Sequence, residues 1–234
     1  MKKTISILLV ILLSVLTFSA CSKYTTTDSN NPNGTTANSQ TTSEDTQSAG
    51  DTSANTSSTG TTTNHVSFTA TNHIEINVKD YGTIDVALDA NVAPITVANF
   101  MDLAKSGFYD GLTFHRIITG FMIQGGDPLG TGMGGSEKNI KGEFTANGVQ
   151  NPLSHTRGAI SMGLKSGDND SANSQFFIVQ QDSLYLDGNY AVFGYVTSGM
   201  DIVDRICEET PVQDGNGTVL AVDQPVITSI KVID

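Results

Sequence analysis

The sequence predicts a mainly β domain, a closed antiparallel barrel with two helices covering its ends. Three observations predict it. Short extended runs alternate with Gly-containing turns through residues 66–234, and only two stretches there carry a helical repeat. The same 169 residues are enough for one well-buried core, and hold a single cysteine, Cys207. No disulfide can form within them, so they must rely on packing. Closing the sheet on itself removes the edges at which other chains would pair.

The elements follow in order. "HIEINV" and "GTIDVALD" alternate apolar and polar residues, as strands with one buried face do. In "APITVANFMDLAKSG", Pro94 stands near the start and Gly107 just past the end of a helix. Val97, Phe100, Met101 and Ala104 share its apolar face. "LTFHRII", "GFMIQ", "GAISMG", "SQFFIVQ" and "YAVFGYV" are further strands. "GMDIVDRICEETP" is the second helix, with Met200, Val203, Ile206 and Cys207 on one face and Pro211 stopping the run. "PVITSIKVI" is the last strand.

Two different materials precede this domain. Residues 1–21 read as an export signal: Lys2 and Lys3, an apolar run from Ile5 to Phe18, then Ser19 and Ala20 before Cys21. The run falls short of the roughly 20 apolar residues that span a bilayer. "LTFSAC" resembles the lipobox of bacterial lipoproteins, with Phe18 where a small aliphatic residue is usual. That resemblance implies a lipidated Cys21 and a membrane anchor on the extracytoplasmic face; ordinary cleavage leaving a free thiol is the alternative. Residues 22–65 are a tether. Thr, Ser and Asn make up 28 of these 44 residues, and Tyr24 is the only large apolar side chain. Such a segment buries too little surface to offset its ordering entropy. As a coil it would span roughly 35–40 Å.

Charge narrows the function classes. Residues 66–234 carry 9 Lys and Arg against 20 Asp and Glu, a net of −11. A nucleic-acid partner wants a basic surface, so that class is excluded. There is no G-x-S-x-G, no H-E-x-x-H and no C-x-x-C. His65, His73, His115 and His155 are scattered; His115 follows an alternating strand pattern and reads as structural, and Cys207 as a small core residue. "GTGMGG" fits G-x-G-x-x-G formally, but the "SEKNIKGEF" that follows is too short and Gly-broken for the helix a dinucleotide needs. A mobile surface loop is the reading there. Arg116 stands out, a fixed charge in the apolar stretch "FHRIITGFMIQGG". It could pair with a buried carboxylate, lie at a rim with its stem buried, or face an apolar pocket and offer donors to a neutral substrate group. The residues alone leave these open.

The order of motifs settles on one family. "FHRIITGFMIQGGD", "GTGMGG", "GAISMG", "SANSQFFI", "YLDGNYAVFGYV" and "GMDIVDRI" resemble the cyclophilin family of peptidyl-prolyl isomerases over nearly all of residues 72–234. The resemblance implies a closed eight-stranded antiparallel barrel capped by two helices. It implies a catalytic arginine at Arg116 and a proline pocket at Phe121, Met122, Phe177 and Leu186. Peptide-binding glutamines fall on Gln124 and Gln175, and peptide-backbone contacts on Gly163 and Leu164. Tyr185 stands where the family often has Trp, and Tyr190 where it has His. "GLKSGDNDSAN" departs from the usual "ANAGPNTNG" in length and sequence. The implied partners are proline-containing unfolded or exported polypeptides, with weak cyclosporin binding. No metal or other cofactor is required, because rotation about an X-Pro bond breaks no covalent bond. Two rival functions remain at this point, a holding chaperone with the same barrel and a purely structural envelope protein.

Overall fold

The computed structural model describes residues 68–234. The signal-like residues 1–21, Cys21 among them, and the tether 22–65 lie outside the described residues.

Eight strands form in the segments where alternation or continuous apolar runs predict them. They are β1 (Asn72–Val78), β2 (Gly82–Leu88), β3 (Phe114–Ile118), β4 (Met122–Gly125), β5 (Ala159–Met162), β6 (Phe176–Val179), β7 (Val192–Ser198) and β8 (Ile227–Val232). All pairings are antiparallel, in the order β3-β4-β6-β5-β7-β2-β1-β8. β5 and β6 are buried along their whole length, both faces being covered.

The expected closure is not made. β3 and β8 are the sheet's two edges, and no regular ladder joins them. They approach beside their first residues, through a Thr113–Val226 bridge and N–H donations from Phe114 to the Pro225 carbonyl (3.0 Å), from Ile227 to the Leu112 carbonyl (2.8 Å) and from Gly111 to the Ile227 carbonyl (2.8 Å). Two physical causes are visible. Pro225 has no N–H to give to a ladder. The free edge of β3 is instead taken by the segment 217–219: Ile117 N–H donates to the Gly217 carbonyl at 2.8 Å and Val219 N–H to the His115 carbonyl at 3.1 Å. Gly217 has a φ of +79°, and a Cβ there would strike the Ile117 carbonyl, so only glycine permits this approach.

Helix α1 (Pro94–Lys105) buries Thr96, Val97, Phe100, Met101 and Ala104 and packs against β8. Pro94 supplies the preset φ of a first turn, but no neighbouring side chain caps it. Glu143 does so from across the fold. Its buried carboxylate accepts the Ile95 N–H (3.1 Å), the Thr96 N–H (2.8 Å) and the Thr96 hydroxyl (2.8 Å), satisfying donors that the helix itself leaves open. Helix α2 (Met200–Glu209) packs against β2 and β4 and buries Ile202, Val203, Ile206 and Cys207. Met200, in the first turn, is partly buried and packs against the same core, and Ile202 is buried there as well. Thr210 turns to extended backbone (φ −84°, ψ 121°) ahead of Pro211, as a residue before proline should.

The main core lies between the sheet and the two helices, centred on Phe100, Tyr109, Phe176 and Phe193. A smaller cluster, Val92, Met122, Leu153, Phe177 and Val179, lies apart from it, with Phe121, Leu186 and Tyr190 packed on its outside. This second cluster is the floor of the site.

Candidate functional site

The site is built on the β3–β4 hairpin. The pairing jumps from Phe114–Gly125 to Arg116–Gln124, leaving a bulge at His115. A bulge re-aims the side chains beside it. It also breaks the simple alternation assumed for His115, which is buried next to a partly exposed Arg116. Arg116 stands directly opposite Gln124, and Gln124 opposite Phe177 on β6. Three site residues therefore lie in one row across three strands.

The guanidinium is held from several sides. Nε donates to the Asn216 carbonyl at 2.8 Å, and Nη1 donates to Gln124 Oε1 at 3.2 Å and lies 3.9 Å from Met122 Sδ. Gln124 passes the constraint on: its Nε2 donates to Gln175 Oε1 at 2.8 Å, and Gln175 Nε2 donates to the carbonyls of Gly132 (3.0 Å) and Gly134 (2.7 Å). Burial lowers the Arg116 pKa from its ordinary value, while Tyr185, Tyr190 and Asp214 act the other way. A guanidinium still remains charged at neutral pH.

Arg116, Phe121, Met122, Gln124, Gly163, Leu164, Phe177, Tyr185, Leu186 and Tyr190 line one cavity of about 370 Å³. Every site residue expected from the sequence is in that wall except Gln175. Gln175 instead lines an adjoining cavity of about 300 Å³ with Gly132, Met133, Gly134 and Asn173, and is joined to the first through Gln124. Met122 and Phe177 form a buried floor at 1% and 6% exposure. Tyr185 rides the rim at 71% exposure, its ring 5.9 Å from that of Phe121. Gly163 donates its N–H to the Gln175 carbonyl at 2.8 Å, so that donor is occupied within the fold. A larger cavity of about 810 Å³ lies between α1 and residues 136–140. It holds none of the expected residues.

Two contributions escaped the sequence reading. Asn216 comes from a turn 100 residues beyond Arg116 and contributes only its backbone carbonyl, which leaves no mark on residue type. Asp127 accepts the N–H groups of Leu129 (2.8 Å), Thr131 (3.0 Å) and Gly132 (2.6 Å). The "GTGMGG" loop is thus exposed, with Met133 83% accessible, but pinned at its root. Burial would raise the Asp127 pKa, yet these bonds outweigh it and hold the carboxyl below its usual range. His115 is buried with neither ring nitrogen bonded. Burial lowers its pKa; Asp127 opposes this and Arg116 reinforces it. Cys207 is buried and its thiol is pushed up to about 12, first by burial and then by Asp204 and Glu208, which suits a core residue and not a nucleophile.

The arrangement offers an apolar bay able to exclude water, one fixed cation at its edge, and two amides beside it. It has no exposed nucleophile. It can grip a small apolar ring and present N–H donors to a neutral group attached to that ring, which is chemistry by positioning and electrostatics.

Comparison with known proteins agrees. The family model described as cyclophilin type peptidyl-prolyl cis-trans isomerase matches residues 73–232. Peptidyl-prolyl cis-trans isomerase B of Bacillus subtilis is 48% identical over 129 residues, covering 55% of this chain and 86% of its own. The peptidyl-prolyl cis-trans isomerase of Helicobacter pylori strain J99 is 46% identical over 127 residues, covering 53% of this chain and 75% of its own. Among solved structures, a cyclophilin type peptidyl-prolyl cis-trans isomerase of Cryptosporidium parvum, crystallised in the presence of the dipeptide Ala-Pro, is similar. Its TM-score is 0.61 at 30% identity, covering 69% of this chain and 99% of its own.

Proposed function

The chain belongs to the cyclophilin-type peptidyl-prolyl cis-trans isomerases and is an enzyme of that kind, and from that premise we propose how it works and where. A proline ring of the substrate sits on Met122 and Phe177 between Phe121 and Leu186. Arg116 is the catalytic donor. Gln124 and Gln175 bind the peptide beside it, with Gly163, Leu164, Tyr185 and Tyr190 shaping the mouth. The observation that carries this assignment is the cavity that gathers all of these side chains but Gln175 around one guanidinium, with Gln175 joined to it through Gln124.

The chemistry follows from the amide. Rotation about X-Pro must give up resonance, with a barrier of about 18–20 kcal/mol. In the planar ground state the prolyl nitrogen's lone pair is delocalised and accepts poorly. In the twisted state it is localised and accepts well. A donor held in place beforehand by Asn216 and Gln124 therefore binds the twisted state more strongly than the planar ones. An apolar floor keeps water from competing for the same donor.

The substrates proposed are exported polypeptides, folding outside the cytoplasm. The support is the signal-like residues 1–21, the lipobox-like "LTFSAC" and the polar tether 22–65. On this reading Cys21 carries lipid. The deciding experiment measures cis–trans exchange of a proline tetrapeptide with the purified full chain and with Arg116→Ala. Catalysed exchange that disappears in a folded Arg116→Ala supports the assignment. Undiminished catalysis in that variant refutes it.

A further inference from the structure

Beside the proline cavity lies a second set of polar side chains, with His155 and Ser161 buried and Asp187 partly exposed. The His155 side chain is fully enclosed. Its Nδ1 lies 2.7 Å from Asp187 Oδ1 and its Nε2 lies 3.0 Å from Ser161 Oγ. The same Asp187 oxygen accepts the His155 backbone N–H at 2.7 Å, and the His155 carbonyl accepts the Ser183 N–H at 2.7 Å. The connectivity is that of a Ser–His–Asp triad. Ser161, however, is completely buried in β5. No substrate carbonyl reaches it, so the relay has no nucleophilic role.

The protonation pattern shows how the ring is fixed. Burial lowers the His155 pKa, with the hydrogen bond and charge of Asp187 acting against it, so the imidazole is neutral at pH 7. Burial would raise the Asp187 carboxyl, but bonds from the His155 N–H, the His155 ring and Ser154 outweigh it and hold it ionised. A neutral ring beside a carboxylate carries its proton on Nδ1. Nδ1–H then donates to Asp187, and Nε2 accepts the Ser161 hydroxyl. The imidazole is gripped at both edges and cannot turn.

That plane has a use. His155 stacks on Phe177 with centroids 5.9 Å apart and planes 13° from parallel, and meets Tyr190 edge-on at 6.3 Å. Phe177 and Tyr190 meet each other at 5.9 Å and 85°. Both line the proline cavity, and Asp187 directly follows Leu186, a third wall residue. The clamp thus touches the floor and one side of the cavity, and none of its three residues is among those lining it.

We propose that Asp187 and His155 are positioning residues for the isomerase reaction, fixing the plane of Phe177 and the seats of Leu186 and Tyr190 and so the width of the proline pocket. This rests on the pocket assignment above. Misplacing a bound group by about 1 Å can cost on the order of a hundredfold in rate, and loosening one wall should cost less.

The test uses the full chain with Asp187→Ala, Asp187→Asn and Asp187→Glu. Catalysed exchange of a proline tetrapeptide and affinity for the dipeptide Ala-Pro are measured below each variant's melting temperature. Asp187→Ala is expected to lower kcat/KM roughly tenfold, with much of the loss in KM and in Ala-Pro affinity. Asn keeps an oxygen that can accept both His155 bonds, so Asp187→Asn should stay within about twofold of wild type. Asp187→Glu keeps the charge but lengthens the arm; it should lose activity, and it carries the test should Asp187→Ala not fold. Wild-type kcat/KM and Ala-Pro affinity in the Ala variant, or in Glu if Ala does not fold, would overturn the proposal even with a lowered Tm. Equal losses in Asn and Ala would overturn it too. Absence of catalysis in the wild-type chain would instead strike the isomerase reading beneath it.

Discussion

Arg116, the proposed catalytic donor, has its other contacts fixed by the Asn216 carbonyl and Gln124. Removing one preorganised donor costs on the order of 3–4 kcal/mol, or about 10²–10³ in rate. Arg116→Ala is expected to lower kcat/KM by about that factor with circular dichroism unchanged. Arg116→Lys should recover little, since an ammonium cannot reach Asn216, Gln124 and the substrate at once as a planar fork does. Phe121→Ala should instead weaken peptide binding as well as rate. Tyr185 is a second residue with a testable consequence. It is 71% exposed at the rim and leans on Phe121. Tyrosine offers less area than an indole and no N–H donor. Cyclosporin should therefore bind more weakly than to family members with Trp there, and Tyr185→Trp should regain part of the affinity. Calorimetry on both proteins decides it; tight binding by the wild type would refute the expectation.

Elements here depend on partners far along the chain. Helix α1 begins without a local cap, and Glu143 receives its first donors. Replacing a buried charged acceptor leaves those donors unpaired and costs about 2–3 kcal/mol. Glu143→Ala should lower the urea midpoint accordingly with the m-value unchanged, whereas a change under 0.5 kcal/mol would mean that water caps the helix equally well. The β3 edge is a similar case. Its partner is the 217–219 segment, and that choice both leaves the sheet unclosed and delivers the Asn216 carbonyl to Arg116.

At the scale of the whole molecule, pH and the proposed membrane attachment are the accessible variables. His115 and His155 have pKa values lowered from 6.5 in the folded state, chiefly by burial. Asp127, Asp187 and Asp204 have theirs lowered from 3.8. In every one of these the unfolded chain binds protons more readily, so stability falls as pH falls. The histidines act first, below about pH 6.5, and the carboxylates below about pH 4. Urea midpoints should decline in those two stages. A midpoint flat between about pH 7 and 5 would show that the two histidines titrate normally. For attachment, two or more acyl chains give a stable anchor where one is marginal. Wild-type chain is expected in the detergent phase on partition and Cys21→Ser in the aqueous phase; equal partition would exclude the lipid.

Period and punctuation were enough to place eight strands and two helices, because local geometry alone dictates alternation, helical faces and the positions of Pro94, Gly107 and Pro211. The resemblance carried by motifs in a fixed order pointed to Arg116, Phe121, Met122, Gln124 and Phe177, because residue types alone leave open what one charge in an apolar stretch does. The sequence reading failed wherever the backbone of one segment meets a distant one. Nothing in residue type shows that Gly217 lies against Ile117, that Glu143 caps α1, that Asn216 holds Arg116 by its carbonyl, or that the β3 edge is occupied and the barrel therefore unclosed. The same holds for Ile202 joining the core from α2, and for the contact of His155 with Phe177. Backbone hydrogen bonds are available to every residue alike, so which distant segment receives them is decided only when the whole core packs.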